Sequence, residues 1–376
     1  MNTERQTMQA GPTAPFRGQV KEIHMRLATI AFCLFAFSAV GADRTLNLRN
    51  ASSIQSQQEL ATLMRATLEI TSAKVDTDRR TLTISGTDSQ ISAAEWLLAE
   101  IDRPAATPIN KPRASSAYHT DGMAGDVIRV FYVQGGRSAQ ELSEAAVVIG
   151  FTGINTFSVM PHQQELSEAA VVIRSAVEIR HLFTYTQVGG IVVRGTPEQL
   201  QAAEWVWRTI VTDPPVVGTE ELRTKLPGGE QVMHAYRMPM EWSSQELNEA
   251  STMMRSLLDL RRLFIYPRTR TIIARADELT ISTMNWLAAE TMRPASPNLA
   301  ESESFRMQDP HQEGLLRVFR LPATQFDAAK FQSVAVEIRK QTQVRRAFTF
   351  NTPRMIALRG TEAQIEQARK IIAAAK

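Results

Sequence analysis

IRSAVEIRHLFTYTQVGGIVVRGTPEQLQAAEWVWRTI, residues 173–210, is the stretch against which the rest of the chain can be laid. Ala176 to Thr186 is an extended run of β-branched and aromatic residues, Gly189-Gly190 supplies a turn, and Ile191 to Arg194 is a second extended run. Gly195-Thr196-Pro197-Glu198 then opens a helix. Thr196 takes the N-cap, Pro197 the first helical position, where an N–H would be unpaired anyway, and Glu198 the first turn. The helix runs to about Ile210.

The same landmarks recur in the same order at 68–101 (LEITSAKVDTDRRTLTISGTDSQISAAEWLLAEI), 258–291 (LDLRRLFIYPRTRTIIARADELTISTMNWLAAET) and 339–372 (RKQTQVRRAFTFNTPRMIALRGTEAQIEQARKII). Ahead of the later three stand strand-like runs, Val127 to Val133, Val232 to Met238 and Leu315 to Leu321; ahead of the first stands a weaker one, Leu46 to Arg49. Each run leads into a helix with apolar residues at i, i+3 and i+4, clearest at Leu247, Ala250, Met253, Met254, Leu257 and Leu258. The spacing predicts an α+β chain of four tandem β-α-β-β-α modules, each a three-stranded mixed sheet with two helices on one face. A module of about 55 residues buries only a small core.

The landmark residues Gly86, Gly195, Ala276 and Gly360 lie 109, 81 and 84 residues apart. The long first interval has a visible source: QELSEAAVVI occurs at Gln140 to Ile149 and again, letter for letter, at Gln164 to Ile173. A duplication of 24 residues accounts for the excess, and only one copy can form the module's first helix. Gly150-Phe151-Thr152-Gly153 inside it has the letters of a phosphate-clamping GxxG, a weak match. The expected organisation is a leader at 1–42, modules at 43–102, 127–211, 231–292 and 315–376, and linkers at 103–126, 212–230 and 293–314. The linkers are rich in Pro, Gly, Ser and Glu, so the modules are expected to behave as beads on semi-flexible connections.

Leu27 to Val40 is an uncharged, largely apolar run of 14 residues that follows Lys21 and Arg26 and ends at the first residue of Val40-Gly41-Ala42. That is the pattern of a secretory signal peptide cleaved near Ala42, with Met25 the more natural start and 1–24 an upstream extension. The predicted localisation is periplasmic or secreted, with no transmembrane span after cleavage. Cys33, the one cysteine, lies inside the leader, so the mature chain has no thiol for disulfide or nucleophilic chemistry. Beyond residue 42 the chain has 38 Lys plus Arg against 37 Asp plus Glu, whereas a nucleic-acid partner usually demands a basic excess. Arginines concentrate at Arg255, Arg261, Arg262, Arg268, Arg270 and Arg275 and again around Arg339 to Arg359, read as solvated faces with a patch for an acidic partner as the alternative.

The strand-turn-strand run FIYPRTRTII at 264–273, and VRGTPEQL at 193–200 opening the last helix, resemble the short periplasmic N-domains of bacterial secretins. Those domains are similar in topology to KH modules, pack laterally into rings and contact other envelope components. The resemblance covers four copies. It is weaker in the first, where Ser85 replaces the arginine, and in the third, where Ala276-Asp277 replaces Gly-Thr; no strand-rich channel region follows Lys376.

Ten residues after the landmark three copies place a tryptophan, Trp96, Trp205 and Trp286, and the fourth places Lys370. On a helical wheel these indoles fall opposite the core stripe, which makes them the candidate interaction residues. Glu95 and Glu204 beside them read as surface carboxylates. The histidines are scattered, with His181 in a hairpin and His234 expected at a solvated strand edge. There is no HExxH, GxSxG, P-loop or dinucleotide fingerprint. The expectation is a non-enzyme without catalytic, cofactor or metal residues: an envelope scaffold or protein-protein interaction adaptor, linked to a secretion or pilus system, that binds envelope proteins or itself through module edges and has no small-molecule substrate. The alternative is a KH-like nucleic-acid-binding protein.

Overall fold

The computed structural model describes residues 42–104, 113–120, 126–133, 161–211, 219–293, 301–307, 314–352 and 354–375. The expected leader up to residue 41, the first decamer and the 150–153 tetrapeptide lie outside them. The first repeat is β1 (Ala42–Asn47), α1 (Ile54–Leu68), β2 (Ser72–Asp76), β3 (Thr81–Gly86) and α2 (Asp88–Ile101). Two short strands, β4 (Arg113–Ala114) and β5 (Tyr118–His119), precede the second: β6 (Val127–Tyr132), α3 (Pro161–Val177), β7 (His181–Tyr185), β8 (Gly190–Gly195) and α4 (Pro197–Val211). The third begins with β9 (Thr219–Leu226), followed by β10 (Gly229–Arg237), α5 (Ser244–Leu258), β11 (Leu263–Tyr266), β12 (Thr271–Ala276) and α6 (Glu278–Met292). The fourth is β13 (Phe305–Arg306), β14 (Leu315–Arg320), α7 (Ala328–Thr342), β15 (Arg346–Phe350), β16 (Met355–Gly360) and α8 (Glu362–Ala374). The fold is α+β with repeating β-α-β-β-α units, and the second decamer copy lies in α3.

Local chemistry sets the helix ends. Thr87, Ser243 and Thr361 close reciprocal capping boxes with Gln90, Glu246 and Gln364. Thr196 and Gln199 exchange the same two hydrogen bonds at the start of α4. The first helix of every repeat stops at a residue in the left-handed region: Glu69, Glu178, Asp259 and Gln343, with φ of 56, 60, 55 and 52°. Because α3 persists to Val177 before this stop, Ala176 and Val177 are helical, and the strand expected from Ala176 starts at His181.

All strand pairings are antiparallel, which corrects the expected mixed sheet. In the first sheet the order is β1-β3-β2: the α1 crossover skips one position and β3 folds back into the gap, so the two parallel strands never touch. The later sheets also exceed three strands, because parts of the expected linkers pair on the first strand of the following repeat. β4 and β5 pair with β6, β9 with β10, and β13 with β14. Each thereby covers a row of backbone groups that would otherwise be an open edge.

The expectation of separate beads is overturned by the cores. The face of the second sheet bearing Val127, Phe131, Ile191 and Val193 packs on its own helices, while Ile128, Val130, Tyr132, Tyr185 and Val192 join the core of the first repeat. The third sheet sends Met233, Ala235, Tyr266 and Ile273 into the second repeat, and the fourth sends Leu316, Val318, Phe350, Met355 and Ala357 into the third. Sheet and helix pair therefore alternate, each inner sheet buried on both faces. A repeat too small to bury its own surface is completed by its neighbour.

The two ends of the stack break this rule. On the outward face of the first sheet, Asp76 stands where later repeats have Tyr185, Tyr266 and Phe350; Lys74 where they have Phe183, Phe264 and Phe348; and Thr83 where they have Val192, Ile273 and Ala357. This face meets no preceding helix pair among the described residues. It explains why the first strand, now Ala42–Asn47 rather than Leu46 to Arg49, lacked an apolar signal.

Candidate functional site: the repeat junctions

The polar side chains converge on the three junctions, and they do so in the same way each time. The arginine just before the landmark residue reaches back to the end of the preceding repeat's first helix. Arg194 donates to the Thr67 carbonyl (2.8 Å) and Glu69 (2.7 Å), Arg275 to the Ala176 carbonyl (3.0 Å), with Glu178 at 3.6 Å, and Arg359 to the Leu257 carbonyl (2.9 Å) and Asp259 (3.2 Å). Arg194 is shared with Asp126 at 3.2 Å. The hydrogen bond from Arg194 holds the Glu69 carboxyl below the ordinary range. A second nitrogen-bearing side chain repeats the motif at the start of β7, β11 and β15: His181 lies 3.2 Å from the Ala66 carbonyl, Arg262 pairs with Glu178, and Arg346 donates to the Ser256 carbonyl (2.6 Å) and pairs with Asp259. Helix acids hold the incoming hairpin turn at two junctions. Glu59 accepts from the Thr186 amide and hydroxyl, and Glu249 from the Asn351 amide and side chain.

These contacts give the left-handed C-cap a purpose. Glycine is favoured there because it has no Cβ to strain, yet three repeats keep an acid whose carboxylate meets the next repeat's arginine. The terminal Gln343 has no such duty. Gln343→Gly is therefore expected to raise stability by about 0.5–1 kcal/mol. Asp259→Gly gains the same relief but gives up Arg346 and Arg359, and is expected to be neutral or destabilising; urea denaturation of the two variants checks the difference in sign.

At the last junction the contact is buried outright. Arg320, at the end of β14, donates to Glu290 on α6, through both its carbonyl and its carboxylate (3.0 Å); the two residues are 5 and 4% exposed. Tyr132 makes the equivalent contact at the first junction, its hydroxyl donating to the Glu100 carbonyl (3.0 Å) and carboxylate (2.8 Å).

The candidate interaction residues are half-buried, and strands from the expected linkers lie over them. Trp96 stacks on Tyr118 of β5 with ring centroids 5.0 Å apart, and Trp286 on Phe305 of β13 at 5.1 Å. Trp205 packs at the margin of the second core, on the helix that packs against β9. Beside them, Glu95 pairs with Arg44 and Glu204 with Arg129 and Arg208, joining the last helix to the first strand. The arginine clusters read as solvated faces are largely engaged: Arg255 donates to the Leu263 carbonyl, Arg268 pairs with Glu165, and Arg275 is buried.

His234 departs from expectation. The cross-strand partner Glu221 on β9 removes the edge, leaving the imidazole 4% exposed, stacked on Tyr236 and without a hydrogen bond at either ring nitrogen. Burial holds its pKa below the ordinary value, partly opposed by Glu221 at 3.7 Å. A depressed folded-state pKa contributes stability that is fully present above the unfolded value, about 6.5, and is lost as pH falls from there through the folded one. His234→Gln is thus expected to flatten the loss of stability between pH 7 and pH 5, read by urea denaturation at both.

Among the described residues no group of three or more His, Cys, Asp or Glu is placed to hold a metal ion, and no helix is long and apolar enough to cross a membrane. A hollow lined by Asp259, Arg261, Arg262, Arg275 and Asp277 is a by-product of the junction, since Arg262 and Arg275 on its wall both donate to Gln231.

No family model and no curated protein matches the sequence. Among solved structures, the chain is similar to the N-terminal domain of the secretin XcpQ from Pseudomonas aeruginosa, at 12% identity over 45% of this chain and 62% of that one, with a TM-score of 0.17. It is also similar to the secretin GspD in the pilotin-secretin AspS-GspD complex of ETEC (8% identity, 68 and 38% coverage, TM-score 0.15) and to ExeD of Aeromonas hydrophila (10%, 86 and 59%, 0.14). The chain spans less than two thirds of the length of each of these structures.

Proposed function

We propose that this chain is an exported, non-enzymatic repeat protein that works as a scaffold or adaptor in the cell envelope, linked to a secretion or pilus system. The observation that carries the reading is the triple recurrence of one junction. The same arginine-to-helix-end contact fixes each sheet on the preceding helix pair, so the chain's ion pairs serve to hold surfaces in register. The partition into modules at 43–102, 127–211, 231–292 and 315–376 belongs to this proposal, as does export through a leader cleaved near Ala42. The match with the N-domain motifs of secretins supports it, and partners are envelope proteins or further copies of the chain. The parts of Trp96, Trp205 and Trp286 that stay accessible, with Tyr118 and Phe305 stacked on the first and last, are the proposed contact points.

The test is fractionation of cells expressing the chain at native level, with N-terminal sequencing of the product and cross-linking in intact cells. The expected result is a periplasmic or secreted protein beginning near Asp43 and cross-linked to envelope proteins, with fewer products in the Trp96→Ala and Trp286→Ala variants. A cytoplasmic protein whose RNA binding weakens steeply with salt would replace this reading with the KH-like one.

A further inference from the structure

The fourth repeat reverses the charge of the surface that the other three use as a seat. At positions aligned by the left-handed C-cap, Glu59, Glu168 and Glu249 give way to Ser333; Glu69, Glu178 and Asp259 to Gln343; and Ala66, Ser175 and Ser256 to Lys340. On the last helix, Glu95, Glu204 and Asn285 give way to Arg369, and the tryptophans to Lys370. The helix pair α7 and α8 holds 5 Lys plus Arg against 3 Glu, net +2, whereas the helix pairs of the first, second and third repeats are −3, −2 and −3. The excess is thus local to the last repeat.

A fifth repeat of the same kind would not fit this face. The carbonyl of Gln341, equivalent to the one that receives Arg194, Arg275 or Arg359, already accepts from the Gln367 amide. Incoming cations would meet Lys340 in place of an acid, a like-charge approach. Lys340 and Lys370 are exposed and form no ion pair among the described residues.

We propose that the exposed face of α7 and α8 is the docking surface for an acidic protein partner. The exposed Lys340 and Lys370 supply the attraction, with Lys330, half-buried over the Phe326 ring, at the margin. The biological use of this face rests on the adaptor reading, but its charge does not, so the test uses purified chain and is independent of localisation.

Binding of a fluorescein-labelled oligoglutamate is measured by anisotropy, against anionic phosphatidylglycerol vesicles and a single-stranded oligonucleotide as competing probes. The triple variant Lys330→Glu, Lys340→Glu, Lys370→Glu is compared with a charge-matched control on exposed residues elsewhere, Lys74→Glu, Arg79→Glu, Lys225→Glu. The expected result is salt-sensitive oligoglutamate binding that falls roughly tenfold in the first variant and stays within about twofold in the control, with both variants matching the parent in melting temperature and circular dichroism. Equal losses in both variants, no loss in the first, tighter binding to vesicles or oligonucleotide, or self-association abolished by the first variant would each overturn the proposal.

Discussion

Glu290→Ala is expected to destabilise the chain by about 3–5 kcal/mol, because it leaves the Arg320 guanidinium charged and unpaired in the interior. Arg320 is 5% exposed, and its Nε and Nη1 have no hydrogen-bond partner as it stands. The carboxylate of Glu290 is its one anion, while the Glu290 carbonyl supplies a neutral acceptor. Replacing both residues, Arg320→Met with Glu290→Leu, is expected to recover most of the loss, since burying an ion pair costs about as much desolvation as its attraction returns. Urea denaturation of the single and double variants gives the two values. A cost below about 1 kcal/mol for Glu290→Ala, the range of exposed pairs, would show that water reaches this junction.

Tyr185→Ala is expected to cost a similar amount, about 3–5 kcal/mol for deletion of a fully buried aromatic ring. Tyr185 is completely buried in the core of the repeat before its own, its hydroxyl donates to Gln187 (2.9 Å), and burial pushes its phenol pKa up. Gln187 in turn donates to the carbonyls of Asn50 and Arg103, so the hairpin is tied to two loops of the first repeat. Loss of the ring should lower hydrogen-exchange protection in α1 and β7 together, as those elements pack on each other. The matched variant in the first repeat, Asp76→Ala, removes a half-buried side chain whose one backbone contact is the Arg79 amide (3.0 Å) and should cost no more than about 1 kcal/mol. The contrast separates a junction residue from its capped counterpart.

The two expectations differ in how far the sequence announced them. The repeat itself, the helix starts at Thr87, Thr196 and Thr361 and the hairpins are local events, set by residues within a few positions of one another, and were legible from spacing alone. So was one half of every core, because Leu247, Ala250, Met254 and Leu257 face inward at the helical period. The second face was present in the letters without being interpretable. Val130 to Val133 and Ile191 to Val193 are apolar at consecutive positions, the pattern of strands covered on both sides, but periodicity does not say what covers them. Likewise Arg194, Arg275 and Arg359 stood beside the landmark residues, but their partners Glu69, Glu178 and Asp259 lie 125, 97 and 100 residues away and carried no signal of their own; Glu178 fell inside a run read as strand.

What the sequence by itself determined is the unit: two helices and three strands, repeated four times. What only the tertiary structure decided is the stacking, the antiparallel centre strand and the strands recruited from the linkers. The reason is physical. Turn and cap chemistry acts over one or two helical turns, so it is encoded contiguously. A sheet's outer face and an edge strand's open hydrogen bonds are satisfied by whichever segment lies nearest in space, and that partner is fixed only when the whole chain has folded.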